Sequence, residues 1–268
     1  GLYDGFAQRH PGIPVSFYCI PKEDFLASSP VASLVSAPYS DEVVKEHLLN
    51  SLQSVHVIDP SVSYPEFCEG YFSTDHHWNM AGAYEAYASI VEDLGWDGAT
   101  VPIESVIEYA EPEFRGSLSR LGLYDVEKSD GMFDYDFDLP DYDVKLGEEG
   151  GSLELLVHRQ MYEDGRWDPA PYTSRYAEYF HADKGHVEIT NPEAPNHDSV
   201  LIVAYSYSNC VERLFASHFE KTYVYDPRAS EGTLDEYMAE HPDITEVLFF
   251  LSPANIDTER AERILGAA

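Results

Sequence analysis

The stretch TDHHWNMAGAY (74–84) sets Asp75 two residues before His77, with His76 between them and Trp78 directly after. An acid and a histidine separated by one residue on an irregular segment can hydrogen-bond to each other. The acid then holds the imidazole in one tautomer, and the other ring nitrogen is free to act as a general base. Such a base needs a nucleophile, since a serine hydroxyl is weak until its proton is taken. Ser206 is the candidate. In LIVAYSYSNCVERLF (201–215) it lies where a hydrophobic run meets a helical pattern. Backbone N–H groups and the dipole of a helix start can stabilise an oxyanion there, and Asn209, one turn on, can add a side-chain donor.

Each of these residues also has a plainer reading. Ser206 can simply cap the helix. Asp75, His76 and His77 can be metal ligands, as in the metal-dependent phosphoesterases that carry a DHH triplet. Those enzymes need further Asp and His ligands in separate motifs, which are not found in this sequence. His76 can hydrogen-bond structurally beside His77. Trp78 can wall a pocket or anchor its loop by packing. Arg228, in YDPR, can reach a substrate oxygen or form a structural ion pair. Tyr207 and Tyr71 can line a sugar cleft, but tyrosines number 20 in the chain, so no single one carries weight.

Regular elements must bring these segments together. The first third reads as strand PVSFYCI (14–20), helix SDEVVKEHLLNSLQ (40–53) and strand SVHVIDP (54–60). Helix MAGAYEAYASIVEDLG (80–95) follows, with Asn79 at the N-cap and Gly95 at the stop. The last 75 residues or so alternate again: strand 199–206, helix NCVERLFASHFE (209–220), strand 221–227, helix 234–241, strand 245–253 and helix 258–267. Such alternation predicts a parallel sheet with helices on both faces, where ligands bind beyond the carboxyl ends of the strands. The loop before Asp75 and the pair Tyr205-Ser206 both fall at such ends. Residues 97–185 are rich in Gly, Pro, Asp and Tyr and read as an insertion with antiparallel strands, for example SLELLVHR (152–159), in one domain spanning 1–268. Its acidic run 130–151 lacks EF-hand spacing and reads as a solvated surface.

The formal charge is −33, from 49 acids and 16 basic residues, a field that repels nucleic acid and anionic membranes. It is compatible with a neutral sugar substrate, with a secreted or wall-exposed life, or with a salty habitat. The longest apolar runs, VLIVAY and VLFFL, are too short to cross a bilayer. Gly1-Leu2 lacks an initiator Met, so the chain reads as a mature or trimmed fragment. Cys19, Cys68 and Cys210 lack zinc-type spacing; Cys19 and Cys68 can pair if their segments meet, and otherwise read as buried thiols.

Taken together, the segments resemble the bacterial DHHW proteins, relatives of the alginate O-acetylation proteins in the SGNH hydrolase-like superfamily. TDHHWNMAGAYEAY (74–87) looks like the family signature. FRGSLSRLGLYDVEKSDGMFDY (114–135) is similar to its F-x-G-[ST] stretch, and RYAEYFHADKGHVEITN (175–191) to the segment before the nucleophile strand. VLIVAYSYSNCVERLFASHFEKTYVYDPR (200–228) resembles its strand, Asp-Ser-x-x-Asn elbow, helix and following Asp-x-Arg. Two positions depart from the family pattern. Tyr205 stands where the elbow has Asp, and Asn79 where Thr is usual.

The resemblance implies a flavodoxin-like sheet in permuted order, with the acid and histidine ahead of the serine. It implies Ser206 as nucleophile, His77 as base, Asp75 as orienter and Asn209 with the Ser206 N–H at the oxyanion. Arg228, Trp78, Tyr205 and Tyr207 would contact substrate, and neither metal nor cofactor is called for. The implied activity is transfer or hydrolysis of an O-acyl group, acetyl first, on a secreted or cell-surface polysaccharide. A membrane-bound O-acyltransferase would be the donor partner, and a membrane anchor would lie outside this sequence. Tyr205 keeps open a different class, a catalytically weak carbohydrate-binding or assembly subunit.

Overall fold

The computed structural model describes residues 1–23, 26, 28–31, 34, 46–47, 49–122, 128–170, 172–194, 196–252 and 258–266. Its centre is an eight-stranded sheet in the order β2-β1-β10-β8-β9-β7-β5-β6. Strands β2 (His56–Ile58), β1 (Val15–Cys19), β10 (Glu246–Leu251), β8 (Ser199–Ala204) and β9 (Lys221–Tyr225) run parallel. Strands β7 (His186–Thr190), β5 (Asp143–Leu146) and β6 (Glu149–Gly151) extend the sheet antiparallel beyond β9. Every residue of β1 and of β8 is buried, as expected of strands covered on both faces.

Side chains alternate between two cores. Val200, Ile202 and Ala204 face one core, with Trp78, Met80 and Tyr207; Leu201, Val203 and Tyr205 face the other. Helices α1 (Leu2–Arg9), α8 (Leu234–Glu240) and α9 (Thr258–Leu265) cover the second face. Helix α3 (Met80–Leu94) covers the first, burying Met80, Ala83, Ala86, Tyr87, Ile90 and Val91 at helical spacing. The Asn79 side chain accepts the N–H groups of Ala81 and Gly82, and Gly95 ends the helix at φ 64°. Helix α2 (Tyr64–Gly70) starts in a Ser63–Glu66 capping box. It ends against α3, where a Cβ on Gly82 would stand 2.3 Å from the Gly70 carbonyl oxygen.

The 97–185 region divides in two. β3 (Ser105–Phe114) and β4 (Asp130–Asp136) form a separate antiparallel ribbon, with the short helix α4 (Ser117–Leu121) between them, while β5 and β6 join the main sheet. SLELLVHR is not a strand: Leu153–Leu155 is a 3-10 turn, and α5 (Arg159–Glu163) begins at its end. Its apolar residues pack against the core through Leu156 and Val157 without ladder partners. The helix expected over 209–220 is also corrected. It shrinks to α7 (Glu212–Phe215) followed by a 3-10 turn at Ala216–His218. Of the helix expected over 40–53, residues 40–45 and 48 lie outside the described residues, and 46–47 and 49–51 are helical. No described helix is long and apolar enough to cross a membrane.

Candidate active site

β8 is followed by β9 on one side, and β10 then returns to its other side. The carboxyl end of β8 is therefore a switch point, where an open α/β sheet leaves a crevice. Ser206 emerges there. Between Ser199 and Ala216 it alone is not buried. Ser208 N–H donates to the Tyr205 carbonyl at 3.0 Å and Asn209 N–H to the Ser206 carbonyl at 3.3 Å, which closes a tight turn around the hydroxyl.

The 74–78 loop meets that turn. Ser206 Oγ lies 2.8 Å from His77 Nε2, and His77 Nδ1 lies 2.6 Å from Asp75 Oδ1. Asp75 also accepts the N–H of His77 at 3.0 Å and that of Ser117 at 2.7 Å. Burial opposes ionisation of Asp75, but the hydrogen bonds and charge of His77 and these backbone donors outweigh it and hold the carboxyl well below the usual carboxylate range. An ionised Asp75 can only accept, so Nδ1 carries the imidazole proton. Nε2 is left to accept from the serine hydroxyl. The His77 ring stacks on Tyr176 with centroids 4.0 Å apart and planes 5° apart, and the Tyr176 hydroxyl donates to the Ser206 carbonyl at 2.8 Å. One tyrosine thus fixes both the base and the nucleophile turn.

Further contacts set the loop in place. Gly116 lies against Asp75 so closely that a Cβ would stand 2.2 Å from Asp75 Cβ. The Thr74 hydroxyl accepts the Gly116 N–H at 3.0 Å and donates to Asp130 at 2.6 Å, and Asp130 also accepts the N–H groups of Ser73 and Thr74. His76 Nδ1 sits 2.6 Å from Ser117 Oγ. Its pKa is pushed down to about 4 by burial and by the charge of His77, against the pull of Asp75. Asp75, His76 and His77 offer ligand atoms within 4.8 Å of one another. A metal there would compete with the Asp75–His77 hydrogen bond that orients the base.

Several expected contacts fall elsewhere. Trp78 is buried and donates from Nε1 to the Tyr207 carbonyl at 3.1 Å, so it anchors the loop by packing. Tyr207 is buried too; its hydroxyl donates to the His76 carbonyl and accepts from Lys22 Nζ at 2.8 Å. Tyr205 faces the opposite core, where Arg260 donates to its hydroxyl at 3.0 Å and the Arg228 guanidinium lies 4.7 Å from its ring centre. Arg228 is an ion-pair residue, paired with Asp226 and Asp183. The Asn209 amide donates to the His181 carbonyl at 3.1 Å and to Asp183 at 3.3 Å, so its hydrogens are not free for an oxyanion. The helix behind the serine begins only at Glu212, and its dipole is not at Ser206. Cys19, Cys68 and Cys210 are free thiols, and Cys68 is exposed, not buried.

Sequence reasoning missed the supports. Asp134, inside the acidic run read as solvated surface, is fully buried and pairs with Arg213 of α7 and Arg159. The neighbouring Glu212 pairs on its other side with His181 at 3.2 Å. The buried Arg213–Asp134 ion pair and the buried His181–Glu212 contact therefore bolt a four-residue helix too short to be stable by itself. The FRGS stretch was the one available signal for Gly116 and Ser117.

The switch-point serine, the facing Asp–His loop and the helix-flanked sheet together define an SGNH hydrolase-like α/β protein, with the acid and histidine ahead of the serine in the chain. A family model described as DHHW protein matches residues 64–225, and the chain belongs to that family. Among solved structures it is similar to Bacillus cereus PatB1, at 20% identity over 98% of this chain and 90% of that one, with a TM-score of 0.75. It is also similar to a DHHW family protein from Eubacterium siraeum, at 19% identity over 98% and 88%, with a TM-score of 0.71. The O-acetyltransferase domain of Pseudomonas putida AlgJ is similar at 12% identity over 100% and 87%, with a TM-score of 0.50. No curated protein matches the chain.

Proposed function

We propose that the protein is a serine-dependent O-acyltransferase or esterase, acting on acetyl groups of a secreted or cell-surface polysaccharide. The observation that carries this reading is the continuous hydrogen-bonded chain from Asp75 through His77 to Ser206. Ser206 Oγ attacks the acetyl carbonyl carbon while His77 Nε2 takes the hydroxyl proton. The carbonyl electrons move onto oxygen, and the Ser206 backbone N–H stabilises that charge. Collapse expels the donor alcohol, which takes the proton from His77 and leaves acetyl on Ser206. A sugar hydroxyl or water, deprotonated by His77, then removes it. Asp75 stays ionised and steadies the imidazolium. Exclusion of water decides between transfer and hydrolysis.

The likeness to an O-acetyltransferase domain supports acetyl as the group moved. A cleft of about 440 Å³ lined by Lys22, Phe67, Tyr71, Asp75, His76 and Leu118 opens beside the loop and offers room for the acceptor. A membrane-bound O-acyltransferase as donor, and a cell-surface location through a segment outside this sequence, complete the proposal. The binding-subunit reading rested on Tyr205. Its ring faces away from Ser206 and leaves the His77–Ser206 contact intact, which favours chemistry.

The test is hydrolysis of a chromogenic acetyl ester, with and without a chelator, by the native chain and by Ser206→Ala. PatB1 has been solved carrying a sulfonyl adduct. A sulfonyl fluoride should likewise label Ser206 here and no other serine, by peptide mass. Activity should survive the chelator and vanish in Ser206→Ala. Activity retained in Ser206→Ala, or abolished by the chelator, overturns the proposal.

A further inference from the structure

Beneath the serine turn lies a buried titratable pair that takes no part in the chemistry above. His181 sits between α6 (Arg175–Tyr179) and β7, 2% exposed, with φ 62°. A non-glycine residue in the left-handed region is uncommon and points to a constraint. The constraint is visible, because ring and carbonyl grip the turn at two places. The carbonyl accepts from Asn209 Nδ2 at 3.1 Å, and Nε2 lies 3.2 Å from Glu212 Oε2. The other Glu212 oxygen accepts the Ser208 hydroxyl at 2.7 Å. Ser208 and Asn209 close the turn that presents Ser206.

The proton count follows from the partners. His181 Nδ1 faces the Ala182 carbonyl at 2.9 Å, which can only accept, and Nε2 faces a carboxylate oxygen. A neutral imidazole has one N–H and would leave one nitrogen lone pair facing an acceptor. Two protons on the ring satisfy both contacts. The other balance, a protonated Glu212 donating to a neutral ring, places the proton on the group of lower intrinsic basicity. We propose that His181 and Glu212 form a buried imidazolium–carboxylate pair that positions the Ser206 turn, so that His181 is a positioning residue for acyl transfer; this rests on the serine reading above.

The surroundings agree. Burial works against charge on His181, but Glu212, the Ala182 carbonyl and Asp183 outweigh it and raise its pKa above the ordinary value. Lys184 and Asp226 line the same small space, and Arg228 neutralises Asp183 and Asp226 from the far side. The folded pKa is raised, so the contribution is complete below the ordinary histidine range and is lost as pH rises through the folded value. Turnover should therefore fall on the alkaline side through a group other than His77.

Two measurements on the full chain test this. The first is NMR of the histidine side-chain nitrogens, with His181 assigned by its absence in His181→Asn. Doubly protonated signals should persist above the ordinary titration near about pH 6.5. The second is the pH profile of acetyl-ester hydrolysis for native protein, Glu212→Gln and Glu212→Ala. Glu212→Gln can accept from Ser208 and donate to a neutral His181. It should retain turnover at neutral pH and lose the alkaline fall. Glu212→Ala should lower kcat on the order of a hundredfold, as a misplacement near 1 Å does, with KM little changed. A His181 that titrates at or below the ordinary value overturns the pair. A Glu212→Gln profile that superimposes on the native one overturns the positioning role. Native protein without esterase activity removes the serine reading and the positioning role with it, while the NMR still decides the pair.

Discussion

Gly116→Ala is the sharpest perturbation of the proposed site, because it replaces none of the three groups Asp75, His77 and Ser206. A Cβ at position 116 would stand 2.2 Å from Asp75 Cβ, 2.4 Å from its Oδ2 and 2.6 Å from its Cα, where ordinary contact begins at 3.4 Å. Relief requires a movement of about 1.2 Å, the difference between those first and last distances. Asp75 has little room to retreat. Its neighbour Thr74 is tied to Asp130 through both N–H and hydroxyl, and the 116–117 segment is tied back to Thr74 and Asp75 by its own N–H groups. The 2.6 Å bond to His77 must then lengthen or turn. A misplacement of about 1 Å costs about a hundredfold in rate, or about 2.7 kcal/mol on the barrier. Overpacking should cost about 1–3 kcal/mol of stability, a melting shift of roughly 2–12 °C for a chain of this size. The assay is acetyl-ester turnover at saturating substrate, with a thermal melt on the same sample. Gly131→Ala is the control, since nothing lies within 4 Å of its would-be Cβ. A Gly116→Ala protein with native turnover and native melting temperature would refute the link from this close approach to the base.

Three further outcomes are expected. Arg213→Met leaves Asp134 buried beside Arg159 without its closest partner, and should cost about 3–5 kcal/mol; urea unfolding that shows under 1 kcal/mol would contradict the bolting of α7. His76 has a folded pKa near 4 against an ordinary value of 6.5. The unfolded chain therefore binds a proton that the folded chain does not, and stability should fall as pH drops from about 6.5 toward 4. His76→Asn should flatten thermal melts in that window, and an unchanged pH slope counts against the shift. Tyr205→Phe removes the Arg260 hydrogen bond and should cost about 0.5–1.5 kcal/mol with turnover preserved; a collapse of turnover would mean that Tyr205 reaches the chemistry after all.

The strands and helices of the two ends were legible because their residues repeat with the period of the element they form. VLIVA is apolar without a break and becomes a strand buried on both faces. The helix at 80–94 carries its own start and stop in Asn79 and Gly95. The middle was not legible, because its elements are short and their partners distant. SLELLVHR has strand composition but no neighbour with which to form a ladder. Asp134 looks like any other acid in a run of acids until Arg213, 79 residues away, is folded onto it.

The sequence by itself determined the five parallel strands of the sheet, the kinds of residue at their rim and the pairing of Asp75 with His77, because these depend on neighbours along the chain. Only the tertiary structure decided that His77 reaches Ser206 across 129 residues, and that Tyr176 backs both. It alone showed that Trp78 and Tyr207 are buried supports, that the Asn209 amide is taken by His181 and Asp183, and that Arg228 is held by Asp183 and Asp226. A side chain's role at a rim depends on which donors and acceptors burial leaves within about 3 Å of it, and chain order does not encode that.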